Sequence, residues 1–73
     1  TTTANFKVQV ETPQVVIASI IDITGVRKAV FYLNATAGIN AFAIPTGTLP
    51  TGYYTLEVKI GNRVCTGRFQ KIN

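Results

Sequence analysis

Two alternating runs, residues 53–60 and 63–69, are the feature that most constrains the fold of this chain. Apolar side chains stand at every second position of "YYTLEVKI", which is the period of a half-buried β-strand. Gly61 and Asn62 separate the two runs, and both residue types tolerate the positive φ of a tight two-residue turn. The sequence therefore predicts a β-hairpin that turns at Gly61-Asn62.

Such a turn fixes the register of the hairpin, and the register decides which side chains face the core. It pairs Tyr54 with Phe69 and Val58 with Cys65, all on the apolar face of the hairpin. Cys65 is therefore predicted to be a small buried hydrophobe and not a reactive thiol.

The same alternation predicts a core and one surface ion pair. Glu57 lies diagonal to Arg68 on the polar face of the hairpin, so these two side chains are expected to pair at the surface. The predicted core consists of Phe6, Val8, Val10, Ile17, Ile21, Tyr54, Leu56, Val58 and Phe69.

Four further runs precede the hairpin and are also predicted to be strands: residues 5–11, 14–25, 26–33 and 39–44. The second is apolar at almost every position, which is typical of a strand that is central in its sheet or covered on both faces. It ends at "DITG", where Asp at the first position and Gly at the fourth suit a type I turn. Six strands with no helical period predict an all-β sandwich.

The chain of 73 residues allows a single domain, and its inventory of catalytic side chains is small. There is no His, the one Cys has no partner for an internal disulfide, and the three carboxylates are far apart in the sequence. No nucleotide-binding or metal-binding motif is present. We therefore expect no enzyme activity, no catalytic residue, no cofactor and no metal.

The net charge of +4 comes from basic residues that are scattered along the chain. Nucleic-acid-binding domains usually cluster such residues and interleave them with aromatic side chains. Only Arg27 and Lys28 are adjacent, so we interpret the charge as a solvated surface and expect no nucleic-acid partner. The longest apolar run, residues 15–21, is too short to span a membrane.

Two segments, "IIDITG" and "LPTGYYTLEVKIGNRVCTGRFQKIN", resemble the C-terminal sorting domain of proteins exported by the type IX secretion system of Bacteroidetes. Members of that family carry a "Y-D-hydrophobic-T-G" segment, then "L-P-x-G-x-Y", a strand, a Gly-containing turn and a last strand near a basic C-terminus. Ile21 stands where an aromatic residue is frequent, and the family's Pro-Asn-Pro segment before the first strand is missing, which we attribute to processing. The candidate sorting-motif residues are Asp22, Gly25, Leu49, Pro50, Gly52, Tyr54, Gly61, Arg68 and Lys71.

The resemblance implies an immunoglobulin-like antiparallel β-sandwich of six to seven strands, with residues 1–73 as one sorting domain cut from a larger secreted precursor. It implies that an N-terminal cargo domain precedes this one, and that the partners are the outer-membrane type IX translocon and a cell-surface sortase. The expected location is the periplasm in transit to the outer membrane, then the cell surface or the medium. Gly52 and Tyr54 are expected to build the sandwich, whereas Arg68 and Lys71 are expected to be exposed for recognition.

Two other classes of function stay open at this point. One is an immunoglobulin-like adhesion or carbohydrate-binding module, which would present exposed aromatic side chains such as Tyr53 and Tyr32. The other is a nucleic-acid-binding β-barrel, which needs a basic aromatic face. In each case an exposed edge strand can pair with another chain, so we also expect a homodimer through edge strands.

Overall fold

Six β-strands follow one another in the computed structural model of the protein, which describes residues 3–72, and no helix occurs within that range. Polar or Gly-containing segments of a few residues connect them, apart from the longer loop that precedes the fifth strand. In chain order the strands are β1 (Thr3–Val10), β2 (Gln14–Asp22), β3 (Arg27–Ala35), β4 (Gly38–Pro45), β5 (Gly52–Ile60) and β6 (Arg63–Lys71).

The strands form two antiparallel sheets, one of order β1-β4 and one of order β3-β2-β5-β6. This is the strand order of an immunoglobulin-like sandwich in which β1 and β4 take the places of strands B and E, and β3, β2, β5 and β6 those of C′, C, F and G. Strand A of that fold would lie beside β1, and no described residue occupies its place. The predicted sandwich is confirmed, with six strands.

The C-terminal hairpin has the predicted register along its whole length, from Ile60 opposite Arg63 to Tyr54 opposite Phe69. Gly61 has a φ of +58°, and no residue other than Gly has a positive φ in the described chain. Positive φ at the first central position alone is the pattern of a type II′ turn, which matches the twist of the two strands.

The core lies between the two sheets. For β2, the prediction that Ile17 and Ile21 belong to this core is wrong. Ile17 and Ile21 are only half-buried, whereas the alternate residues Val16, Ala18 and Ile20 are fully buried. Both faces of β2 are apolar, so alternation alone does not say which face turns inward. The buried apolar residues are Val8, Val10, Val16, Ala18, Ile20, Ala35, Ile44, Leu49, Tyr54, Leu56 and Val58, with Phe6 and Phe69 packed against them.

Cys65 is exposed, which contradicts its predicted burial. It pairs with Val58 as predicted and so lies on the inner face of β6. However, β6 is the edge strand of the four-stranded sheet, and the opposite sheet has only two strands. The narrower sheet covers Val58 but leaves the inner face of β6 open around Cys65 and Gly67.

Candidate recognition site at one end of the sandwich

Most of the candidate motif residues meet at one end of the sandwich. Asp22 pairs with Tyr54 across β2 and β5, and Gly52 pairs with Lys71 across β5 and β6. We call this region the motif end, and define it as the turn 22–26, residues 46–54 and residues 68–72. Of the nine candidate residues, Gly61 alone lies away from it, in the hairpin turn at the other end of β5.

The loop 46–51 is held in place by Tyr54. The Tyr54 hydroxyl donates a hydrogen bond to the carbonyl oxygen of Pro50 at 2.6 Å. Tyr54 stands near the start of β5, and its hydroxyl reaches back to the preceding loop, as in the tyrosine corner of immunoglobulin-like domains. The ring also stacks on Phe69, with 5.6 Å between the ring centroids.

Lys71 holds the same loop from the last strand. Its ammonium group donates hydrogen bonds to the carbonyl oxygens of Thr46, at 2.9 Å, and Leu49, at 3.2 Å. The residue is 2% exposed, so the prediction that Lys71 is an exposed recognition residue is wrong. Its burial has a physical reason, since Lys71 continues the inward-facing series of β6 and its charge is solvated by two carbonyls instead of water.

Asp22 organises the turn that precedes β3. Its Oδ1 atom accepts hydrogen bonds from the hydroxyl of Thr24 at 2.6 Å, from the amide of Thr24 at 3.0 Å and from the amide of Val26 at 2.9 Å. The amide of Gly25 donates to the carbonyl of Asp22 at 3.0 Å, which closes the predicted four-residue turn. Gly25 has a φ of +90°, a conformation that favours glycine.

These contacts stabilise the ionised form of Asp22. The hydrogen bond from the Thr24 hydroxyl, followed by that from the Val26 amide, lowers the pKa of Asp22 below its ordinary value of 3.8. The Lys28 ammonium, 3.6 Å from Oδ2, acts in the same direction. Asp22 is therefore a structural carboxylate of the turn.

Arg68 is exposed on the outer face of β6, as predicted, but its expected partner is different. Glu57 lies 3.7 Å from Arg27 of β3, so the predicted pair of Glu57 with Arg68 is wrong. Within residues 3–72, Arg68 takes part in no ion pair. Its charge is thus available to another molecule.

The exposed apolar side chains of the motif end were not predicted as site residues. Ile23 is 82% exposed in the turn, Tyr53 is 61% exposed on β5, and Ile72 is 56% exposed directly after Lys71. With Arg68 they form what we call the terminal surface. The sequence did contain an indication that these apolar side chains are exposed, because Ile23 interrupts a polar turn and Tyr53 falls on the polar face of β5.

The motif end consists of hydrogen-bonded turns, a buried ammonium group and exposed side chains. Across the described range, no group of three His, Cys, Asp or Glu side chains is placed to hold a metal ion. The same range contains no helix long and apolar enough to cross a membrane. Comparisons with family models, curated proteins and solved structures returned no match.

Proposed function

We propose that this chain is the C-terminal sorting domain of a protein exported by a type IX secretion system. The outer-membrane translocon binds the folded domain and passes the N-terminal cargo to the cell surface. A surface sortase then removes the domain and attaches the cargo to an anionic lipopolysaccharide. The domain itself contributes binding and no catalysis.

The convergence of the motif residues supports this proposal. Asp22, Tyr54 and Lys71 come from three different strands, yet each fixes a turn or loop at the same end of the sandwich. The three contacts fix the positions of the turn 22–26 and the loop 46–51. We infer that these residues form a scaffold, and that the machinery reads the terminal surface which the scaffold presents.

The terminal surface has a composition suited to protein recognition. Exposed aromatic and basic side chains are the types that most often dominate binding energy at protein interfaces. Tyr53 and Arg68 lie on the outer face of neighbouring strands, close to Ile72 at the end of β6. Translocon recognition is therefore assigned to Tyr53 and Arg68 in place of Lys71.

The test is surface display of a passenger protein fused upstream of the domain in a bacterium that has the secretion system. We expect Tyr53→Ser and Arg68→Glu together to reduce display at least about tenfold, as for loss of interface anchors. The double variant should keep its thermal stability, because both side chains are exposed and surface changes usually cost within about 0.5 kcal/mol.

Tyr32→Ser with Lys59→Glu provides a matched control. Both residues are exposed on the outer face of the same sheet, but they lie toward the hairpin-turn end. This variant makes the same tyrosine change and also reverses one basic charge, and it should display the passenger normally. If both double variants lower display equally, or neither does, the terminal surface is not the recognition site.

The exposed tyrosines also favour a second candidate, a carbohydrate-binding accessory module. Tyr32 is 72% exposed and Tyr53 is 61% exposed on one face of the four-stranded sheet. Along the strands they are about 20 Å apart, since their rows differ by six steps of about 3.4 Å on β5. Glycan binding that is lost in both Tyr32→Ser and Tyr53→Ser would support this module over a sorting domain.

A further inference from the structure

Charged residues are unevenly distributed along the chain. All seven basic and all three acidic residues lie outside the segment 29–56. This uncharged segment supplies the whole of β4 and most of β3. About 25–35% of the surface residues of a small soluble domain are normally charged, whereas the centre of a protein interface is depleted of charge and enriched in aromatic residues. The surface that these two strands form is therefore a candidate interface.

The strands β3 and β4 form one flank of the sandwich. β1 lies over β5 and β6, because Val8 lines a groove together with Val58 and Cys65. β4, the other strand of the smaller sheet, then covers β2, whose Ile20 is fully buried. Residues 36–37 connect β3 directly to β4. Strand A of an immunoglobulin-like fold belongs at the opposite flank, beside β1.

β3 is an edge strand with the composition of a central strand. The stretch Ala29–Leu33 reads "AVFYL" and is apolar at every position. A strand that is apolar on both faces is typical of the interior of a sheet. In the described chain, however, β3 pairs only with β2. Val30 and Tyr32 are exposed on its outer face, and Phe31 is only half-buried on its inner face.

The free edge of β3 also lacks the features that protect edges in natural proteins. Edge strands usually carry charged side chains, Pro or a bulge that prevents pairing with another chain. The edge strand β6 carries Arg63 and Arg68, and β4 ends at Pro45. The irregularity of the β2–β3 ladder lies near Arg27, so the edge is regular from Ala29 onward. Its amide and carbonyl groups can thus accept one more strand.

We infer that β3 pairs with β3 of a second copy, antiparallel, about a two-fold axis that passes through Phe31. The two four-stranded sheets then form one continuous sheet of eight strands. The contact is isologous, since the same strand is used by both copies, and it closes at two copies. It satisfies the outward backbone groups of β3, which an apolar ligand without a strand would leave unpaired.

The side chains of β3 are complementary to themselves in this register. On the outer face, Val30 of each copy lies opposite Tyr32 of the other, and pairs of an aromatic with a β-branched residue stabilise antiparallel strands. On the inner face, the small Ala29 lies opposite the larger Leu33, and the two Phe31 rings meet at the axis. The half-buried residues of the inner face gain the cover that they lack in one copy.

The charges at the start of β3 favour a second copy over a charged partner. Antiparallel pairing sets Lys28 of one copy opposite Asn34 of the other, so the basic ends of the two strands lie at opposite ends of the interface. Within each copy, Arg27 lies 3.7 Å from Glu57 and Lys28 lies 3.6 Å from Asp22. A charged peptide would find no opposite charge along Ala29–Leu33, whereas the same uncharged stretch of a second copy needs none.

The dimer does not rest on the proposed sorting role, because Tyr53 and Arg68 lie on β5 and β6 and stay exposed in it. Sedimentation and light scattering of the chain under reducing conditions, from about 10 µM to about 1 mM, test for it. We expect a monomer–dimer equilibrium that shifts to the dimer in this range. A strict monomer throughout, or assembly beyond two copies, overturns the inference.

Amide hydrogen exchange locates the interface without any variant. The amides of Ala29–Leu33 that point away from β2 should exchange at least about tenfold more slowly at concentrations where the dimer is populated than in dilute protein. The outward amides of β6 should exchange at the same rate in both. If the slowing occurs along β4 or β6 and not along β3, the copies pair through another edge and the inference is wrong.

A single added charge tests the role of the β3 edge. Val30→Lys should weaken the dimer at least about tenfold, because it places a charged side chain in the uncharged centre of the interface. Val64→Lys is the matched control, since Val64 is an exposed Val on the outer face of the edge strand β6. It should leave the dimer affinity unchanged. Both positions are exposed, so thermal unfolding should show that both variants stay folded.

Mixing two variants tests the register. Tyr32→Glu should weaken its own homodimer as Val30→Lys does, because each puts like charges close to the two-fold axis. In a mixed dimer, the new Lys of one chain lies opposite the new Glu of the other, while the remaining Val30 and Tyr32 keep their original pair. We expect the mixture to form a heterodimer at least about tenfold tighter than either homodimer. If the mixture stays monomeric, the pairing about Phe31 is wrong.

Discussion

The ammonium group of Lys71 lies 2.9 Å from the carbonyl oxygen of Thr46 and is buried with it. A residue at the end of the last strand thus fixes the start of the loop that precedes β5. The same ammonium group reaches Leu49, so one side chain closes both ends of a tight turn. This contact makes the final residues of β6 part of the core.

Lys71→Met should lower the free energy of unfolding by about 1–3 kcal/mol, because the Leu49 carbonyl loses its ammonium donor and the Thr46 carbonyl keeps only the Leu49 amide. Arg68→Met, a matched change at an exposed position of the same strand, should cost no more than about 0.5 kcal/mol. Urea denaturation of the two variants measures the difference. Equal stabilities would show that the Lys71 hydrogen bonds contribute nothing.

This contact also changes the expected effect of removing residues 70–73. The sequence alone predicts that such a deletion leaves most of the core intact. Because Lys71 lies within the deleted segment and is buried, we now expect the deletion to destabilise the domain as well. An export defect of the deletion is therefore not specific for recognition, and point variants of exposed residues are the better test.

Tyr54→Phe isolates the hydrogen bond of the tyrosine corner. The ring and its stacking on Phe69 are kept, while the 2.6 Å bond to Pro50 is lost. We expect a loss of about 0.5–1.5 kcal/mol in the free energy of unfolding. Tyr53→Phe removes an exposed hydroxyl next to it and should have no measurable effect. Thermal unfolding of the two variants provides the comparison.

Stability should fall in acid as Asp22 takes up a proton. Its pKa is lowered in the folded state. Its contribution to stability is therefore fully present above the ordinary value of 3.8 and is lost as pH falls through the lower folded value. In Asp22→Asn, this part of the decline should be absent and stability at neutral pH should be lower. Melting temperatures measured from neutral pH down into this acid range test both points.

Ile20→Ala should be far more damaging than Ile17→Ala. Ile20 is 0% exposed, and truncating a buried Ile costs about 2–5 kcal/mol. Ile17 is only half-buried, on the outer face of the sheet, so its truncation should cost clearly less. Equal losses would mean that both faces of β2 are covered in solution, as a bound partner on the outer face would do.

The hairpin was predictable because its information is local. Gly61 supplies the turn and alternation supplies the register, so every pair from Ile60–Arg63 to Tyr54–Phe69 followed from neighbouring residues. Which face of β2 points into the core was not predictable from the sequence. Its two faces are equally apolar, and the face that turns inward depends on the distant strand β5.

Burial of the two misjudged residues, Cys65 and Lys71, depends on what lies opposite them. Alternation puts both on the inner face of β6, and this is correct. Whether an inner face is covered depends on the width of the other sheet and on the path of the loop 46–51. Neither is encoded in the residues of β6 themselves, so an apolar thiol is open to solvent while an ammonium group is buried.

The pairing of β2 with β5 has a consequence for the rate of folding. Val16 of β2 lies opposite Ile60 of β5, so the centre of the larger sheet joins segments that lie far apart in the chain. Chains dominated by such distant contacts fold in about milliseconds to seconds, much more slowly than helical bundles. The C-terminal hairpin needs only local contacts, so we expect it to form during that interval. The edge of β5 that later pairs with β2 is then still unpaired. A factor that binds this edge in the cell would therefore compete with β2 and delay folding, whereas it would find no such edge on the completed domain.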